Sequence, residues 1–108
     1  MSHHLTMADL ATPLRLLRLL AVDHPDLPAV NVDVSTIFPN QLELVSHDDF
    51  HAFEAWRSAL GIQPETITYA EQSGGRTRLL RAAVDYAGAR LCLVAYSSTH
   101  RQAGGEAP

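Results

Sequence analysis

Between residues 46 and 61 the apolar side chains recur at helical spacing: Phe50, Phe53, Trp56 and Leu60 stand three, three and four positions apart. Residues so spaced line one side of an α-helix. The stripe gathers three of the seven aromatic residues of the chain, and Gly61 follows as a stop signal. A helix with this much aromatic surface along one side needs a layer to bury it. The rest of the chain is read for that layer.

Alternation supplies it. Val30, Val32 and Val34 alternate with Asn31, Asp33 and Ser35, the signature of a half-buried strand over residues 30–36. Phe38-Pro39-Asn40 makes a turn, and residues 41–45 alternate again, completing a hairpin. Residues 66–70, 76–86 and 89–97 read as three further strands, divided by Ser73-Gly74-Gly75 and by Ala87-Gly88. Residues 6–22 predict a first helix, with Thr6 and Asp9 in the form of a capping box and Leu10, Leu14, Leu17 and Ala21 on one face. Pro13 removes a helical hydrogen bond, so regular helix is expected from Pro13 onward. The order is α-β-β-α-β-β-β. Its strand-to-strand links are hairpin-short, which predicts an α+β fold with a mainly antiparallel five-stranded sheet and two helices packed on one face. Residues 1–99 are expected to form one domain, and the polar, Gly-rich residues 100–108 a disordered tail.

Charge and cysteine content narrow the chemistry. The net charge of −4 argues against a protein that envelops nucleic acid by bulk electrostatics. All eight basic residues are arginine, a bias that fits a GC-rich genome. The single cysteine, Cys92, excludes an internal disulfide and a Cys-based zinc site, and its apolar surroundings predict a buried, inert thiol. No apolar run approaches the ~20 residues that span a bilayer. The first residues lack a secretory pattern, so a cytoplasmic protein without membrane contact is expected.

Residues 47–51, His-Asp-Asp-Phe-His, differ from the H-E-x-x-H zinc motif by one acid. Two histidines a helical turn apart can hold a metal, and the carboxylate then activates its water. Aspartate is a methylene shorter than that chemistry uses, and no third ligand follows at a recognisable spacing. His47 and His51 are therefore weak metal candidates; Ser46 with Asp49 reads better as a capping box for the aromatic helix. No nucleophile elbow or phosphate loop is present, and neither enzyme activity nor a cofactor is expected.

Two surfaces remain. Arg76, Arg78 and Arg90 on the fourth and fifth strands form an arginine-bearing hairpin that could meet phosphates, which makes a nucleic-acid-binding accessory protein the alternative reading. The second surface is apolar. Leu79 and Ala83 share a sheet face with Cys92, Val94 and Tyr96, while the opposite face of the same hairpin is apolar as well, so both want cover. The favoured expectation is a non-enzymatic protein that works through protein contacts as a homodimer, with Trp56, Leu79, Val94 and Tyr96 as partner-binding candidates.

His24-Pro25-Asp26-Leu27-Pro28 before an alternating strand, residues 50–56 with Leu60-Gly61, and Tyr86-Ala87-Gly88-Ala89-Arg90-Leu91 resemble small actinobacterial proteins of the Streptomyces type, a kind also carried on phages and integrated elements. The resemblance covers residues 10–97 in its architecture of linker, helix and hairpin. It implies no activity, cofactor or catalytic residue.

Overall fold

The computed structural model describes residues 4–72 and 74–98. The chain enters through a short 3-10 turn, Met7–Leu10, in which the Asp9 carboxylate accepts the Thr6 backbone N–H at 2.8 Å. Helix α1, Ala11–Asp23, follows without a break. Pro13 is its third residue, where an N–H would have no helical partner, so the proline is tolerated inside the first turn rather than starting the helix.

Five strands then form one sheet: β1 Asn31–Asp33, β2 Gln41–His47, β3 Thr68–Gln72, β4 Thr77–Tyr86 and β5 Ala89–Ser98. Helix α2, Phe50–Ala59, lies between β2 and β3. The spatial order is β1-β2-β5-β4-β3. Three neighbouring pairs are antiparallel, as the hairpin-short links require, but β2 and β5 run parallel from Gln41↔Arg90 to His47↔Tyr96. The sheet is therefore mixed. Its parallel pair arises because α2 carries the chain back over the sheet, so β3 starts in the direction of β2; two hairpins then return β5 beside β2 in that direction.

Both helices pack on one face, as expected. Leu16 and Leu20 of α1 and Phe53 and Trp56 of α2 meet Leu42, Leu44, Ala82, Leu91, Leu93 and Ala95 of the sheet. The aromatic stripe is thus core, and truncating Phe53 to Ala would cost about 3–5 kcal/mol. Among the described residues no helix is long and apolar enough to cross a membrane.

Several boundaries differ from the sequence expectation. Strand β1 is three residues long and wholly exposed; Val30 and Val34 still pack on the core, but outside the ladder. Strand β3 starts at Thr68, because Pro64–Thr66 closes a 3-10 turn in which Thr66 donates from Oγ1 to the Gln63 carbonyl at 2.8 Å. The N-cap of α2 is Asp49, whose carboxylate accepts the Ala52 N–H at 3.0 Å. Ser46 instead belongs to β2 and is buried on the helix-covered face. Residues 100–108, expected to form a tail, lie outside the described residues.

Candidate functional site

Strand parity assigns Glu43, Val45 and His47 of β2, Cys92, Val94 and Tyr96 of β5, and Leu79, Arg81 and Ala83 of β4 to the face opposite the helices. The register sets His47, Tyr96 and Leu79 in one row, Val45, Val94 and Arg81 in the next, and Glu43, Cys92 and Ala83 in a third. Three of the four partner candidates, Leu79, Val94 and Tyr96, are therefore immediate neighbours on this open face.

The centre of the face is sealed from within. Cys92 and Val94 are 2% and 1% exposed although no helix covers them. Arg81 on β4 and Glu43 on β2 reach toward each other across β5, closing to 3.6 Å. Their aliphatic stems shield the two residues between them. Burial pushes the Cys92 thiol above its ordinary range, with Arg81 opposing that rise, so Cys92 is held neutral and poorly reactive. Around this strap Val45, Leu79, Ala83 and Tyr96 stay half-buried. The His47 ring stacks on Tyr96 at 5.4 Å between centroids and 14° between planes.

That stacking removes the helical basis of the metal reading. His47 ends β2, whereas His51 lies in the first turn of α2, so the two are not a turn apart on one helix. Between them Asp48 adopts φ 55°. Its N–H donates to the Tyr96 carbonyl at 2.7 Å, and its carboxylate accepts the Ser98 N–H at 2.9 Å. Asp48 thus extends the β2–β5 ladder and does not face a metal-bound water. Among the described residues no three His, Cys, Asp or Glu side chains stand where they could share a metal ion.

The arginines are dispersed as well. Arg76 is exposed in the turn before β4. Arg78 faces the helix side opposite Ser97, with its Nε buried and without a hydrogen bond among the described residues. Arg90 lies on the open face near the far end of the hairpin and pairs with Asp85 at 3.2 Å. Arg78 and Asp85 are seven residues apart along β4, or about 24 Å. The three do not form one basic patch.

Trp56, the fourth partner candidate, is 8% exposed. Its indole N–H donates to the Pro28 carbonyl at 2.9 Å, and its ring meets His24 edge-on at 6.3 Å. This contact shapes a second feature, an open cleft of about 290 Å3 between the end of α1, the connector at residues 24–30 and α2. Neither the cleft nor the Glu43–Arg81 strap is marked in the sequence, because each depends on which strand lies beside which. The nearest signal is the pair of prolines, Pro25 and Pro28, that restrict the connector; its first residues turn rather than extend, since the Leu27 N–H donates to the His24 carbonyl at 3.2 Å.

Compared with known proteins, the chain matches no family model, no curated protein and no solved structure.

Proposed function

We propose that this protein works through protein contacts rather than catalysis, and that its open sheet face is the surface by which two copies associate. The observation that carries the reading is the distribution of charge around the apolar centre of that face. Arg81 stands on β4, while Glu43 and Asp33 stand on β2 and β1, on the other side of β5. A twofold axis along β5 lays β4 of one copy over β2 of the other. Arg81 then meets the partner's Glu43, and the converse contact follows by symmetry. Tyr96, Leu79 and Val45 lie within the contact, whereas Val94, a partner candidate from the sequence, is already shielded inside its own chain.

The size of the face suits the role. Five strands about 4.8 Å apart, averaging seven residues at about 3.4 Å per residue, span on the order of 600 Å2, close to the roughly 800 Å2 per partner of a standard interface.

Light scattering over a concentration series tests the reading. The expected result is a dimer that Leu79→Arg converts to a monomer with an unchanged circular dichroism spectrum, since Leu79 is half-buried and outside the helix-packed core. A strict monomer at the highest soluble concentration overturns it.

A further inference from the structure

We propose that the cleft beside Trp56 is a binding site for a small, neutral, largely hydrocarbon molecule carrying one hydroxyl or carbonyl group, which meets the imidazole of His24. Its walls come from Leu17 and Leu20 of α1, the connector over residues 25–30, Val32 and Leu44 of the sheet, and the Trp56 ring. Among the lining side chains only His24 and Trp56 can form a hydrogen bond. The indole N–H is already committed to Pro28, so Trp56 offers its ring alone. The His24 side chain makes a ring contact with Trp56 and no hydrogen bond among the described residues. One polar group in an apolar pocket is the arrangement that orients a mostly apolar ligand.

The cleft is held open before any ligand arrives. The His24 N–H continues α1 by donating to the Leu20 carbonyl at 2.8 Å, and the Leu27 N–H closes on the His24 carbonyl at 3.2 Å. The Trp56–Pro28 bond then fixes the far end of the connector on α2. A ligand therefore meets walls that need little ordering. Its gain is apolar: Val32 is 44% exposed, and Ala21, Pro25 and Ala29 are exposed. Charge sets the class further. Asp23 and Asp26, both exposed, flank His24 along the chain, and their carboxylates disfavour an anionic ligand. A volume of about 290 Å3 suits a ring with short substituents, whereas a long acyl chain would extend beyond its walls.

Trp56 is the only tryptophan in the chain, so its emission reports on the cleft directly. Menthol serves as the probe: a neutral alicyclic alcohol that does not absorb with indole. The expected result is a saturable change in Trp56 emission together with a raised melting temperature. Ala21→Leu and Ala29→Leu each fill the mouth from an exposed position and should weaken the half-saturation concentration by about tenfold, with the circular dichroism spectrum retained. His24→Phe keeps a ring against Trp56 and should weaken menthol selectively over p-menthane, the same skeleton without the hydroxyl. Emission that changes only linearly up to the solubility limit overturns the proposal. So does saturation that both leucine variants leave untouched. Equal loss of menthol and p-menthane in His24→Phe overturns the polar contact.

Discussion

At the scale of the residue, Trp56 shows how one side chain can serve packing and geometry together. Its ring completes the core stripe of α2, and its N–H reaches 28 residues back to Pro28. Trp56→Phe keeps most of the buried apolar area but leaves the Pro28 carbonyl without its donor, at an expected loss of about 1 kcal/mol. Trp56→Ala adds a cavity and should cost about 3–5 kcal/mol. Chemical denaturation of the two variants separates the contributions, and a Phe variant as damaged as the Ala variant would contradict this division. Cys92 gives a second expectation. Burial raises its thiol pKa in the folded state. The stability linked to the neutral thiol is therefore fully present below the unfolded thiol pKa of about 8.5 and is lost as pH rises through the higher folded value. Cys92→Ala should accordingly be less sensitive to alkaline pH than the parent chain, as melting temperatures measured across that window would reveal.

At the scale of the element, the start of α2 shows which information is local and which is not. The stripe Phe50, Phe53, Trp56 is legible in the sequence because its three-residue spacing is a property of one helix. The cap is not. Ser46-x-x-Asp49 has the form of a capping box, yet Ser46 pairs with Ala95 in the parallel ladder and Asp48 turns left-handed to extend it. That pairing displaces the cap to Asp49. It also separates His47 from His51, so the likeness to a metal motif dissolves for the same reason. The Ser46 hydroxyl is buried without a hydrogen-bond partner among the described residues. Asp49→Ala should therefore destabilise by about 1 kcal/mol, whereas Ser46→Ala should be neutral or stabilising by up to about 1 kcal/mol. Thermal unfolding distinguishes the two assignments by sign. The β4–β5 turn offers a parallel case: Ala87 sits at φ 51° before Gly88 at φ 81°, a geometry that favours Asn at the first position. Ala87→Asn should raise the melting temperature, with a gain of about 0.5–1 kcal/mol.

At the scale of the whole molecule, topology decides what the sequence left open. Strand existence and the helix layer follow from alternation and periodicity, but the neighbour of β2 does not. Only when β5 inserts between β2 and β4 do Glu43 and Arg81 flank the same strand. The β4–β5 hairpin, legible from its turn, already sets Leu79, Val94 and Tyr96 on one face, and its register divides Arg78 from Arg90 between opposite faces. The proposed twofold contact uses the strap twice, within each copy and between copies, and mixed variants separate these roles. In Arg81→Glu alone, the introduced carboxylate opposes Glu43 both internally and across the axis. In Glu43→Arg alone, the introduced guanidinium opposes Arg81 in the same two places. Each variant should be monomeric by itself. When the two are mixed, the introduced carboxylate of one copy faces the introduced guanidinium of the other. The native Arg81–Glu43 pair forms at the second site, although neither copy has its internal ion pair. A heterodimer of the two variants, seen by native mass spectrometry where neither alone dimerises, is the expected outcome. Sheets packed face to face lie about 10 Å apart, beyond the reach of a disulfide between the two copies of Cys92 across the axis, so reductant should leave it intact. If the mixture stays monomeric while the charge-swapped double variant recovers the parent's stability, the strap serves only its own chain and the dimer contact lies elsewhere.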